Sequence, residues 1–434
     1  MLCLRDSRRK QELIALFFAI IVVLLVFQDA LRRIWHPFGY IDEAVALLGL
    51  LYSGLVLLTG KGNISWKQVL LPIISLGVFV ASGLLGNVLY RYQPWKSVVI
   101  DLYTNLKFFF AINTGFLFLH LLPWETLKQQ ANLCARSTTA YLFAVFLLDR
   151  LLHVFEGEVR HGIRSAELFF THPTYLAGAV VFLLCLMAAF FENKNRIFIL
   201  MDLVMIAFTL RSKTIVSTMV FVALWIFLVI WKKEMKRRHL VVLVIVGAVV
   251  AWPKIHYYFI ELHHWSARSV LLITALLIMK DYFPIGTGFG TYASSEAAKH
   301  YSPVYEKYGF QDNWELRNVA DRANTKRLIE KFDIPRHDLW GGPYLNDSFW
   351  PIIFGQTGVL GTAAYVTAMG SLFYRCWKLK ETSFYSFATV LYIWFHLLIC
   401  SIAEPAFNNS TAVPLALVMG MVLAAAAKSE KTDV

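Results

Sequence analysis

Long apolar blocks, broken by short polar and charged connections, run along almost the whole chain. They show neither the alternation of a half-buried strand nor the single stripe of a soluble amphipathic helix. A bilayer crossing needs about 17–25 mostly apolar residues. The pattern predicts twelve such segments, at residues 11–28, 41–58, 69–89, 101–121, 137–155, 174–191, 196–210, 214–231, 240–257, 348–374, 384–402 and 411–427. The seventh is short, and the ninth carries Pro253 near its outer end. The expected fold class is an all-α polytopic membrane protein. Its parts are an N-terminal bundle of nine spans (1–257), one large extracytoplasmic loop (258–347) and three C-terminal spans with a cytoplasmic tail (348–434).

Composition agrees with that class. Of the 434 residues, 58% are hydrophobic and 16% charged, against about 25% charged in a soluble domain. The five cysteines form no metal-type spacing and suit small core residues. No small-residue cleavage site follows the first apolar run, which reads as an anchor.

The net charge of +12 raises the question of a nucleic-acid partner, and its distribution answers it. With the N-terminal RDSRRK in the cytoplasm, the inner segments hold 20 basic residues and the short outer segments hold 8. That bias fits twelve crossings with both termini inside. The cations anchor topology at an anionic leaflet, and no basic stripe remains for nucleic acid.

Residues 258–347 depart from the pattern. From 281 to 347 the segment is near neutral, with 10 acidic and 8 basic side chains. Its start predicts an amphipathic or re-entrant helix at the interface, carried by Val270, Leu271, Ile273, Thr274, Leu276, Leu277 and Ile278. The loop's aromatic residues, Trp340 and Tyr344 among them, suit either sugar rings or interfacial anchoring.

Ionisable groups at the apolar boundary are the best pointers to function in such a chain. Arg164, Arg211, Lys213, Arg268, Asp347 and Glu404 all fall in the outer half of the expected topology, as do Lys107, Asp149 and Arg150. An arginine offers a planar, permanently charged fork that fits phosphate oxygens. Several at one outer interface suggest an anionic lipid headgroup such as a diphosphate. Taken singly, each arginine also fits a snorkelling side chain. Asp149 beside Arg150 reads as a local pair. Asp347 suits a proton acceptor or the N-cap of the tenth span, and Glu404 is the second candidate base. No Asp-x-Asp pair occurs, so a metal is not indicated. The stretch FPIGTGFGTYASS (283–295) hints at a phosphate loop, but it follows a helix and lacks the Gly-Lys-Ser/Thr of a P-loop. Its glycines read as a tight turn, with an amide-lined anion site as the alternative.

Four segments together resemble the O-antigen ligase and Wzy O-antigen polymerase superfamily of polytopic bacterial glycosyltransferases. They are RSAELFFTHPTYLAG, TLRSKTIVS, WSARSVLLITALLIMKDYFPIGTGFGTY and NDSFWPIIFGQTGVLG, covering about residues 150–375. The resemblance implies a GT-C-like helical bundle and transfer of a glycan from a polyprenyl diphosphate to a sugar hydroxyl, without metal or other cofactor. It implies functional arginines at Arg211 and Arg268, with Arg164 a third. Lys213, His337, Trp340 and Tyr344 complete the expected substrate-binding set. Ligases of the family carry His-Asn at the re-entry, where this chain has Asp347-Ser348. That departure favours a polymerase of lipid-linked repeat units in the bacterial inner membrane over a ligase acting on lipid A core. A transporter or flippase of the same lipids is a further alternative, supported by Lys107 and Arg150. Expected partners are the lipid-linked donor, the glycan acceptor, the bilayer, and chain-length regulator and flippase proteins.

Overall fold

The computed structural model describes residues 2–59, 66–160, 162–261, 267–300, 302–308, 346 and 348–432. Helices make up 81% of it. In chain order they are α1 (Leu2–Ile34), α2 (Ile41–Thr59), α3 (Trp66–Tyr90), α4 (Trp95–Leu121), α5 (Trp124–Leu152), α6 (Pro173–Ala189), α7 (Asn195–Phe208), α8 (Ser212–Trp225), α9 (Arg237–Ile255) and α10 (Ala267–Asp281). The short α11 (Ser295–Lys299) and α12 (Pro303–Lys307) follow, then α13 (Phe349–Lys378), α14 (Phe384–Ser401) and α15 (Ala412–Thr432). One two-stranded hairpin, β1 (Val159–Arg160) with β2 (Ile163–Arg164), joins α5 to α6, with Val159 opposite Arg164.

Each of the twelve expected segments is largely helical. Among the described residues, seven helices are long and apolar enough to cross a membrane: Arg9–Ile34, His36–Thr59, Leu70–Tyr90, Trp124–Leu152, Ser212–Ile230, Phe349–Glu381 and Phe384–Ser401. Pro173–Ala189 and Ala412–Lys428 are apolar but shorter. The protein is therefore an all-helical, membrane-embedded molecule.

The packing explains why α6 and α15 are apolar on every side. Leu176, Val180, Leu183, Leu184 and Met187 of α6 are fully buried, as are Val413, Ala416, Val418 and Met419 of α15. A helix apolar all round belongs at the centre of a bundle. Around this centre α4 packs on α2 and α15, α3 on α13, and α8 on α14. By contrast Val241, Val242, Val244, Ile245 and Val246 of α9 face outward, as lipid-facing side chains do.

The glycine stretch is part of this packing. Residues 286–294 are all buried. The turn sits in a break of α13, where Gly358 leaves the helix with φ 59° and ψ −161°. Gly286 (φ 73°) lies so close that a Cβ on Gly358 would stand 2.4 Å from Gly286 N. The amides of the turn are engaged: Thr287 N donates to Gly355 O (3.0 Å), Gly288 N to Gln356 O (2.8 Å), Phe289 N to Asn87 Oδ1 (2.8 Å) and Gly290 N to Asp101 Oδ2 (3.0 Å). These bonds rule out the amide-lined anion site entertained from the sequence, because the donors already have internal acceptors. The expected interfacial helix, α10, packs on α13 through Leu271, Ala275 and Ile278, spaced at i, i+4 and i+7. Leu276 and Leu277 point outward instead.

Candidate functional site

The connection from α5 to α6 builds the site. It is anchored by Asp149 on the last turn of α5, whose carboxylate is almost fully buried. Asp149 accepts from Arg150 (3.1 Å), Arg164 (3.0 Å) and the amide of Phe155 (2.9 Å). Arg164 also donates to the Asp149 and Phe155 carbonyls, and Arg150 to the Arg164 carbonyl at 2.7 Å. The Arg150 guanidinium lies over the rings of Phe146 and Phe208. Asp149 and Arg150 thus form the local pair read from the sequence, and Arg164 joins it as a clamp on the hairpin.

The clamp fixes Glu158, just ahead of β1. The Glu158 carbonyl accepts from Ser165 N at 2.8 Å, while its side chain is half exposed. There it meets Arg211, the residue that opens α8. Arg211 Nη2 stands 3.2 Å from Glu158 Oε2 and 2.7 Å from His172 Nε2. Arg211 is only 9% exposed, and its Nε is buried without a hydrogen-bond partner among the described residues. Arg160 also holds Glu158, at 3.0 Å from Oε2 and 3.1 Å from Oε1. Its hydrogen bond, aided by the charges of Arg160 and Arg211, keeps the Glu158 carboxyl below its ordinary range. His172 is the N-cap of α6. Loss of hydration on its protein-facing side, then the Arg211 charge, push the imidazole down to about 4, so it is neutral at neutral pH.

Two further elements close the site. Lys213, on the first turn of α8, forms an ion pair with Glu404 in the connection between α14 and α15. The end of α1 is tied to the residues before His172: Asp29 accepts from Thr171 N (2.7 Å) and Thr171 Oγ1 (2.8 Å), and Arg33 reaches the Phe169 and Phe170 carbonyls. A cleft opens beside this junction, with Gln28, Asp29, Tyr175, Ser410 and Thr411 at its polar positions and Leu25, Val26 and Phe182 at its apolar ones. Tyr175 lies one turn of α6 beyond His172.

The structure thus brings Arg211, Lys213 and Glu404 into one neighbourhood and gives Arg164 to a neighbouring clamp. Arg268 lies in the first turn of α10 and is half-buried. Asp347, His337, Trp340 and Tyr344 lie outside the described residues. The N-cap position of α13 belongs to Ser348, which donates to Ile402 O at 3.2 Å, two residues before Glu404. Lys107 is paired with Asp42 at 2.7 Å and Glu43 at 3.3 Å. Sequence reasoning passed over Glu158 and His172. The one signal for His172 was its place before Pro173, where a helix starts; nothing local marked Glu158.

The cluster carries donors suited to an anion: a buried guanidinium beside a neutral imidazole, with Lys213, itself paired with Glu404, at the head of the same helix. Comparisons with family models, with curated proteins and with solved structures found no match.

Proposed function

We propose that the protein is a membrane glycosyltransferase that polymerises polyprenyl-diphosphate-linked oligosaccharide repeat units at the outer ends of α6 and α8. One observation carries this reading: the buried guanidinium of Arg211 stands 2.7 Å from His172 Nε2, with Lys213 on the first turn of the same helix. In this reading all twelve helices cross the inner membrane of a bacterium, with both termini in the cytoplasm.

The acceptor hydroxyl attacks the anomeric carbon of the donor sugar. The bond from that carbon to the diphosphate oxygen breaks, and its electron pair leaves with polyprenyl diphosphate. Arg211 meets the charge that develops on the leaving group, in a setting shielded from water. Arg268, from the α10 side, is the second cation of the reaction. The hydroxyl proton passes to a carboxylate of the outer face; Asp347 and Glu404 are the candidates, and Glu404 is held in place by Lys213.

Purified protein given lipid-linked repeat units in detergent tests the assignment. Wild type should make polymer, and Arg211→Ala should lose about 100- to 1,000-fold of the rate, as for removal of one oxyanion donor. Polymer formed at the ordinary rate by Arg211→Ala, at equal protein level, ends this reading. Transfer to a lipid A core acceptor with no elongation identifies ligase chemistry instead.

A further inference from the structure

Among the described residues Arg211 Nη2 has two neighbours, Glu158 and His172. Glu158 is half exposed and shared with Arg160. His172 is faced by a donor at each ring nitrogen: Arg211 Nη2 at Nε2 (2.7 Å) and Thr174 N at Nδ1 (3.3 Å). A neutral imidazole has one lone pair, and an imidazolium has none. The neutral ring therefore accepts from one neighbour only, and the shorter contact assigns that lone pair to Arg211. Protonation in the empty site would set two cationic donors face to face. An anion oxygen can accept from both only once they part, since 2.7 Å leaves no room between them.

We propose that Arg211 and His172 form a diphosphate subsite that Glu158 fills when no substrate is bound, and that the entering anion displaces the Glu158 carboxylate and brings one proton onto His172. This rests on the reading of the Arg211 site as the leaving-group site. The buried Arg211 Nε has no hydrogen-bond partner among the described residues, so the Glu158 contact leaves one donor of the guanidinium idle.

The charges facing His172 come from two elements. Arg211 and Lys213 stand at the head of α8, and Glu158 and Arg160 belong to the hairpin segment. Glu404 offsets Lys213. In the empty site dehydration and the cations keep the ring neutral down to about pH 4. A bound diphosphate reverses the sign of the local field and raises that value. Affinity then grows as pH falls through the raised value, and the gain levels off near 4, where the empty site is protonated as well.

Calorimetry of inorganic pyrophosphate binding to the detergent-purified full chain tests this, at about pH 6 in two buffers of different ionisation heat. Wild type should take up about one proton more than His172→Gln, the probe's own protonation being common to both. Glu158→Gln should bind pyrophosphate about tenfold more tightly than wild type, since the competing and repelling carboxylate is gone. Equal proton uptake in wild type and His172→Gln, or equal affinity in wild type and Glu158→Gln, overturns the proposal. The two readings fail separately. Undiminished polymer formation by Arg211→Ala with the pyrophosphate pattern intact removes the transferase and leaves the subsite. Lost polymer formation with no proton uptake does the reverse.

Discussion

Arg164 and Arg211 carry the same charge and flank the same helix, α6, but their surroundings give them different work. Arg164 is held by a carboxylate and two carbonyls of the α5 terminus, a set of bonds that shapes the hairpin. Arg211 has a half-exposed carboxylate, a histidine and an Nε without a hydrogen-bond partner among the described residues, the set that the proposed diphosphate would complete. Asp149 decides the first case, because it compensates both Arg150 and Arg164. Asp149→Ala should therefore cost about 3–5 kcal/mol, the usual penalty for orphaning buried charge, read as a lower melting temperature in detergent. An unchanged melting temperature would mean that the clamp is not structural. The sequence placed both Arg164 and Arg211 at the expected substrate site, Arg164 as the third arginine after Arg211 and Arg268. Nothing near either residue in the chain tells that Asp149, fifteen residues before Arg164, folds back onto it.

Among the elements, the glycine turn and the broken α13 depend on one another. Gly286 and Gly358 both lie at positive φ, and each occupies the space where the other's Cβ would stand. Gly358→Ala meets both objections, a backbone region that L-residues avoid and a contact of 2.4 Å to Gly286 N. It should destabilise by about 2–4 kcal/mol and lower the yield of folded protein on size exclusion. A variant that melts with wild type would show that the turn and the break move apart freely. Sequence spacing revealed that a turn follows α10. It did not reveal that the turn is an internal plug, since the acceptors that satisfy its amides are the carbonyls of Gly355 and Gln356 and the side chains of Asn87 and Asp101. The helix α10 was legible too, but its buried stripe was only partly so: Leu271 and Ile278 lie on it with Ala275, while Leu276 and Leu277 face outward.

At the scale of the molecule, the sidedness of the cationic clusters is the property to test. In a Cys3→Ser background the remaining cysteines, Cys134, Cys185, Cys376 and Cys400, are buried, so an introduced thiol reports alone. Val154→Cys and Lys233→Cys are both exposed positions and should react with a membrane-impermeant maleimide from opposite sides of sealed vesicles. Reaction from the same side would overturn the assigned crossings between them. The sequence by itself determined the helices and the class, because a run of apolar residues long enough to leave water must close its own backbone hydrogen bonds, a requirement met within each segment. Only the tertiary structure decided which charges meet one another. Arg211 meets Glu158 across 53 residues and Lys213 meets Glu404 across 191, and such pairings depend on which helices pack together, a choice made by the shapes of faces that are uniformly apolar in the sequence.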